Sequence, residues 1–546
     1  MEKIKKILDE NKVVILVAFF VIFILSLPLM QKSLVIGDDY DYHISRIQSI
    51  EQMLRKGVFP VKVHTPLANT YGYGSGLFYS NLFLYIPAII CLLGIGLISS
   101  YKIFIILMLV LMFFVTYFSI KNITEENKSA LIGTIIIMLS RVLILNLYQR
   151  FALGEFLGYI FIVPVISGMY DYVYKDFKKP YLLFIGFVGL IHTHLISTLI
   201  CTIFCILYFL LNIKSTIKDL KKFIKLVVTA ILVAIVTCSF WLPMLEAWTT
   251  QTYMFSVPWT NIGADEFRLI DLFGTERYSI GMVITLFMPL IIYGIFDKNI
   301  SKKTKTFILW LILFIVLIVN FSFWKYTNKV SNIIQFKWRL LGIITIISAI
   351  TIALIVKEYS EKLNIKLESI MCSILIISMY FSIEYMNFND INNNVEGLKT
   401  AEQIQTEMYS SPTSIGGGKE YLPLEVNYEE LTNQNKAISS LGEKIEIKKD
   451  NLRCEFECQD DSSWFDMPYI YYKGYKANLE KTSGEIVNLE IEKSEKGLVR
   501  LKLDESQEGK IIVCYDGTMI QKASYIVSSF GIIMCIIILI KKYKIK

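Results

Sequence analysis

Apolar runs long enough to cross about 30 Å of hydrocarbon recur along almost the whole 546-residue chain. A backbone inside hydrocarbon must satisfy its own hydrogen bonds, so each run reads as a helix. The hydrophobic share, 54%, is that of a membrane protein rather than a soluble domain. The first run, 13–29, follows Lys3, Lys5 and Lys6 in the manner of a signal peptide. No small-x-small cleavage site comes after it and further membrane sequence does, so it is expected to stay as an anchor.

Charge assigns the sides. The chain carries 55 basic and 48 acidic residues, but 387–522 holds 16 basic and 25 acidic, leaving 39 and 23 elsewhere. The lysines concentrate in short loops at 175–179, 214–225, 298–305 and 357–366 and in the tail 541–546. The positive-inside rule puts these in the cytoplasm. Twelve crossings then fit: 12–30, 102–120, 129–147, 153–172, 181–194, 195–212, 222–243, 280–297, 305–322, 340–356, 367–385 and 523–541. Both termini are expected inside. Loop lysines without a basic groove pattern exclude nucleic-acid binding. Nine cysteines include no CxxC pair, which argues against a zinc site. Among the polar-region cysteines Cys454, Cys458 and Cys514, a single disulfide involving Cys514 stays open.

Three stretches need separate treatment. The run 78–97 is apolar, yet counting it as a crossing would put a charged segment on the wrong side. Aromatic, polar at its start and broken by Pro87, it reads as a juxtamembrane or re-entrant helix. The run 181–211 is long for one crossing and fits a tight hairpin with His192 and His194 at its outer tip. Segment 387–522 shows alternation at 487–491 and 499–503 with glycine punctuation, the pattern of a small β-sandwich. The expected domains are a transmembrane part, 1–386, with a catalytic first outer loop at 31–101; an extracytoplasmic β-rich part, 387–522; and a last helix with a basic tail, 523–546.

Between the first span and the next lies Gly37-Asp38-Asp39-Tyr40-Asp41-Tyr42-His43-Ile44-Ser45-Arg46. Ionisable groups this dense at a membrane are costly and point to function. If 39–54 is helical, Asp39, His43 and Arg46 share one edge of an amphipathic helix at the membrane surface. Asp38 reads as a cap for that helix. All four histidines, His43, His64, His192 and His194, fall on the outer side. They suit either a divalent ion or hydrogen bonds to a phosphate or sugar. Arg150 and Glu155 flank a short outer turn, where they either pair with each other or leave Arg150 as a planar fork for phosphate. Lys337 and Arg339 alternate with Phe336 and Trp338, a pattern that suits aromatic anchoring or a lipid phosphate.

Taken in order, several short motifs resemble the GT-C superfamily of integral membrane glycosyltransferases. They are Gly37-x-Asp39-x-x-x-His43-x-x-Arg46-Ile47, Gly57-x-Phe59-Pro60, and Tyr71-Gly72-Tyr73-Gly74 followed by Phe78-Tyr79. Arg150-x-x-x-Gly154-Glu155, Gln335-Phe336-x-Trp338-Arg339, Tyr421-Leu422-Pro423 and Tyr472-x-Gly474-Tyr475-x-Ala477 continue the set. More narrowly the chain resembles bacterial YfhO-like membrane proteins and the family labelled "6-pyruvoyl-tetrahydropterin synthase-related", although nothing in the residues suggests pterin chemistry. Lys337 departs from the proline expected there.

The resemblance implies transfer of a sugar from a polyprenyl-phosphate donor to an extracytoplasmic glycan, teichoic acid or lipid, with inversion. It implies Asp39 as the base, with Asp41 the rival and His43 beside them in the catalytic set. Arg46, His64, Arg150, Glu155, His192, His194, Lys337 and Arg339 form the set expected to bind substrate and lipid phosphate. The resemblance fixes no cofactor, since some members of the superfamily need a divalent metal and some do not, and a magnesium or manganese ion stays open. The expected location is a bacterial plasma membrane, with the site facing outward. Two other readings compete: a transporter or flippase of lipid-linked saccharides, disfavoured by the lack of an internal repeat, and a non-catalytic membrane protein that binds a cell-wall polymer.

Overall fold

The computed structural model describes residues 11–213, 219–256, 260–264, 266–386, 412–432, 435–458, 462–503 and 508–544. The expected segment 387–411 lies outside them. Among the described residues, six helices are long and apolar enough to cross a membrane, or up to nine if each of three bent helix pairs is one span. Three shorter apolar helices are Tyr181–Thr193, Leu195–Leu211 and Met282–Phe296. The protein is therefore a polytopic membrane protein with a β-rich region near its C-terminus.

The chain forms two compact units. The first comprises Met1–Tyr40, Tyr101–Val233 and Thr260–Leu398. Its centre is the Leu153–Tyr174 helix, buried from 153 to 172 on all sides, as an all-round apolar helix must be. Leu340–Leu363 is buried over 340–356 in the same way. The Tyr181–Thr193 helix packs closely on the first of these. A Cβ on its Gly189 would come within 2.1 Å of the Phe161 ring, so a small residue is needed where the helices meet. The hairpin expected over 181–211 breaks at His194, whose side chain caps the second helix by accepting from the Ser197 amide.

The second unit comprises Asp41–Ser100, Ala234–Trp259 and Lys399–Lys546. Nine antiparallel strands run in the order β2-β1-β5-β8-β7-β6-β9-β4-β3. They are β1 Lys436–Ser439, β2 Lys444–Glu446, β3 Lys448–Asp450, β4 Arg453–Cys458, β5 Trp464–Ile470, β6 Tyr475–Lys481, β7 Ile486–Lys493, β8 Leu498–Lys502 and β9 Gly509–Tyr515. The first half of β7 pairs with β6 and its second half with β8. Side chains from six of these strands, among them Phe456, Phe465, Leu479, Val499 and Ile511, share one core. A second, aromatic core joins Tyr42, Tyr71, Tyr73 and Phe78 of the first loop to Tyr253, Tyr428 and Tyr472.

Two expectations about the first loop need correction. The helix runs Tyr40–Arg55, so Asp39 precedes it and does not share a helical edge with His43 and Arg46. The helix is also largely buried, with Ile44, Ile47, Ile50 and Met53 at 1% exposure or less and Arg46 at 1%. Its apolar side is packed while Asp41, Glu51 and Arg55 keep some exposure, so the helix is amphipathic, but His43 and Arg46 are buried rather than on its open edge. One short helix, Ser75–Phe78, ends where the stretch 78–97 begins, and a second, Tyr85–Leu92, lies within it. The second spans only about 12 Å at 1.5 Å per residue, too little to cross. Cys514 forms no disulfide among the described residues.

Candidate active site

In the first unit, a π-type turn at Leu145–Gln149 follows an apolar helix and delivers Arg150 to the cluster. Wide turns of this kind often occur at functional positions. Phe151 has a left-handed backbone, with φ of 54°, and its ring packs on Tyr40 and Tyr101. A left-handed non-glycine residue costs about 1–3 kcal/mol, and that packing holds it in place. The chain then enters the Leu153–Tyr174 helix with Glu155 in its first turn.

Segment 37–39 lies against this turn. The Asp38 amide donates to the Gln149 carbonyl at 3.3 Å and the Asp39 amide to the Arg150 carbonyl at 2.8 Å. Gly37 permits the approach, because a Cβ there would lie 2.8 Å from the Phe151 nitrogen.

Four charged groups gather here. Arg150 Nη1 donates to Glu155 Oε2 at 2.9 Å. Arg339 Nε donates to Glu155 Oε1 at 3.1 Å. Arg150 and Glu155 thus pair as one sequence reading held, but Arg339 shares the same carboxylate. Arg150 also donates to Asn146 Oδ1, and Asn146 Nδ2 donates to the Tyr159 hydroxyl at 2.7 Å. Its guanidinium carbon sits 3.8 Å from the Trp338 ring centre. Trp338 stacks in turn on Phe336 and Tyr278. Arg339 Nη1 is held by the Ile334 carbonyl and the Gln335 side chain.

Asp39 stands apart from this saturated pairing. Its carboxylate accepts no hydrogen bond among the described residues, whereas neighbouring Asp38 is exposed and paired with Arg277 at 2.7 Å. Burial pushes the Asp39 carboxyl up to about 6, with Arg150 pulling it down, Glu155 and Asp38 pushing it up, and Arg339 pulling it down. The site thus holds one carboxylate locked by two cations and another ready to take a proton near neutrality.

His194 Nε2 approaches Glu155 Oε1 at 4.0 Å. Because Nδ1 accepts from the Ser197 amide, the ring proton falls on Nε2, toward Glu155. His192 is half-buried in the last turn of the preceding helix. Lys337 is buried at 2% exposure, with its ammonium 5.4 Å from the Phe321 ring centre. Sequence reasoning missed Asn146, Tyr159 and Arg277. A lone asparagine inside an apolar run, one turn before Arg150, was the available signal.

Asp41, His43, Arg46 and His64 belong to the second unit. Arg46 Nη2 donates to the Tyr79 and Ser80 carbonyls and to Asn81 Oδ1 at 2.7 Å. Its guanidinium lies over the Tyr79 ring at 4.5 Å. Asn81 donates to the Val61 carbonyl and to His64 Nε2 at 3.1 Å. His64 Nδ1 therefore carries the proton and donates to Ser49 Oγ at 3.1 Å. Burial and then Arg46 drive the His64 pKa down to about 3, so this network holds a neutral imidazole with both nitrogens used. The Asp41 carbonyl accepts from the Ser45 hydroxyl one turn along the helix.

Among the described residues, no three His, Cys, Asp or Glu side chains gather closely enough to hold a metal ion. Both Glu155 oxygens are taken by guanidinium groups.

No protein-family model matches the chain, and no curated protein matches it. Among solved structures, the arabinofuranosyltransferase AftD from Mycobacteria aligns at TM-score 0.43 with 12% identity, over 68% of this chain and 26% of that one. The Archaeoglobus fulgidus oligosaccharyltransferase, in its apo form, aligns at TM-score 0.37 with 12% identity, over 72% of this chain and 56% of that one. The chain thus spans about a quarter of the first protein and just over half of the second.

Proposed function

We propose that this protein is a GT-C-type membrane glycosyltransferase of the YfhO-like kind. It would move a sugar from a polyprenyl-phosphate donor to an extracytoplasmic glycan, teichoic acid or lipid. The observation that carries the reading is Asp39: a half-buried carboxylate with no donor among the described residues, pushed up to about 6, beside two guanidinium groups. The ordered motifs from Gly37 to Ala477 support the same class.

The reaction follows from these groups. The acceptor hydroxyl gives its proton to Asp39 as its oxygen bonds to the anomeric carbon. The bond from that carbon to the phosphate oxygen breaks on the opposite side, and the electron pair leaves with the phosphate. The configuration inverts. General-base assistance of this kind contributes about 10²–10⁴-fold. Arg150 Nε and Nη2 and Arg339 Nη2 donate to none of the described residues, which leaves planar donors for the departing phosphate. In this reading the site faces outward from a bacterial plasma membrane. Twelve crossings keep both termini cytoplasmic, and the β-rich part, with a sandwich arrangement, stands outside.

The test is transfer from a polyprenyl-phosphate sugar in proteoliposomes. Asp39→Asn lowers transfer by about 10²–10⁴-fold while folding and lipid-phosphate binding persist. Full transfer by that variant removes Asp39 as the base. Comparing surface glycans of a deletion strain with its parent identifies the product.

A further inference from the structure

The Leu153–Tyr174 helix has 22 residues, about 33 Å at 1.5 Å per residue. Glu155 lies in its first turn and Lys175 follows its last. The Leu97–Thr124 helix runs the same course: Tyr101 stacks on Phe151 near the site, and Lys121 lies in the last turn. Both helices therefore lead from the Asp39 cluster to an end roughly a membrane's thickness away.

At that end is a cavity of about 500 Å³ whose lining includes Lys121, Lys175, Lys179 and Glu125, with Phe118 and Tyr181 at its side. Lys175 is committed: it pairs with Glu125 at 2.6 Å and donates to the Asn122 carbonyl at 2.7 Å. Lys121 and Lys179 have no carboxylate partner among the described residues. Lys121 has only the Tyr117 ring, at 5.8 Å, and Lys179 bonds to Asp171 through its backbone amide alone. The lining thus carries two cations in excess. Phe118 and Tyr181 are 59% and 46% exposed. A tyrosine so exposed, next to apolar helix surface, belongs at the level of lipid headgroups.

We propose that this cavity binds the phosphate of an anionic phospholipid headgroup, with Lys121 and Lys179 as its cations and Phe118 and Tyr181 against the glycerol and upper acyl chain. The lipid is favoured over soluble phosphate because the aromatic wall gives a headgroup a second surface that free phosphate cannot use. The lysines of 175–179 place this end in the cytoplasmic leaflet by the positive-inside rule. The site is independent of the transfer reaction and is occupied whether or not Asp39 acts as a base.

Native mass spectrometry of the full-length protein in detergent tests this, with phosphatidylglycerol, phosphatidylcholine and inorganic phosphate as ligands. The wild type retains phosphatidylglycerol in preference to phosphatidylcholine. Two lysines facing a lipid phosphate imply that the Lys121→Gln/Lys179→Gln variant binds phosphatidylglycerol roughly 30-fold more weakly. The Lys121→Arg/Lys179→Arg variant keeps the binding. Lys178→Gln, on the same loop but paired outward with Asp176, also leaves it unchanged. Wild-type affinity in the double-glutamine variant overturns the site, as does loss of binding in the double-arginine variant. Displacement of the lipid by inorganic phosphate at a comparable concentration overturns the lipid assignment.

Discussion

The backbone amide of Asp39 donates to the carbonyl of Arg150 at 2.8 Å. The same backbone contact therefore positions the candidate base and the nearest candidate phosphate-binding cation, although 111 positions separate them in the numbering. Side-chain surroundings then split two adjacent carboxylates. Asp38 is exposed and faces Arg277, whereas Asp39 is half-buried with its carboxyl pushed up to about 6. Adjacent acids in environments this different are suited to different roles.

The first prediction is the pH profile. A base must be ionised to accept a proton, so kcat/KM for transfer rises as pH increases through about 6 and then levels. The limb belongs to the free enzyme. It disappears in Asp39→Asn, whose residual rate is flat across the same range. A limb that persists in that variant assigns the titration to another group.

The second concerns the charges that set this value. Arg339 lowers the Asp39 pKa and Glu155 raises it. In Arg339→Gln the cation is gone and Glu155 is less compensated, and both changes push Asp39 upward. The acid limb of kcat/KM therefore moves to higher pH, and the plateau falls because one phosphate donor is lost. Rate against pH for the two proteins measures both effects, and a limb displaced toward lower pH contradicts the arrangement.

Much of the scaffold was legible because membrane physics writes itself into long apolar runs, and because strand alternation marked 487–491 and 499–503, which became β7 and β8. Arg150, Glu155, His194 and Arg339 stood out singly as charged or polar groups at apolar boundaries. Their assembly did not, since the bond from Arg339 to Glu155 joins residues 184 apart. Helical periodicity placed Asp39 on an edge with His43 because it assumed the helix began there. The Asp39 amide is instead tied to Arg150, a constraint from a distant turn that no local pattern encodes. Trp338 was visible as part of a motif, but its position 3.8 Å from the Arg150 guanidinium was not.

The third prediction is structural. Glu155 is 5% exposed and pairs with two guanidinium groups. Glu155→Ala leaves both largely buried cations without their carboxylate, and removing one partner of a buried pair costs about 3–5 kcal/mol. Thermal unfolding in detergent shows a clear loss of stability. Glu155→Gln, which keeps the shape and one acceptor oxygen, loses less.

The last prediction turns on Gly37. A Cβ at this position would lie 2.8 Å from the Phe151 nitrogen and 2.9 Å from both the Arg150 carbonyl carbon and the Gln149 oxygen. All three are backbone atoms that no side-chain rotation can move. Gly37→Ala must therefore push segment 37–39 away from the 149–151 turn and lengthen the bond from the Asp39 amide. A displacement of about 1 Å can cost 10²-fold in rate, so kcat falls by about that factor. Burial is the largest cause of the raised Asp39 pKa, so a loosened, better-hydrated carboxyl titrates lower and the acid limb moves below 6. Gly96→Ala, where a Cβ meets nothing within 4 Å, leaves both readouts at wild-type values. A Gly37→Ala protein with an unchanged limb and rate would show that the contact between Asp39 and Arg150 does not set the base.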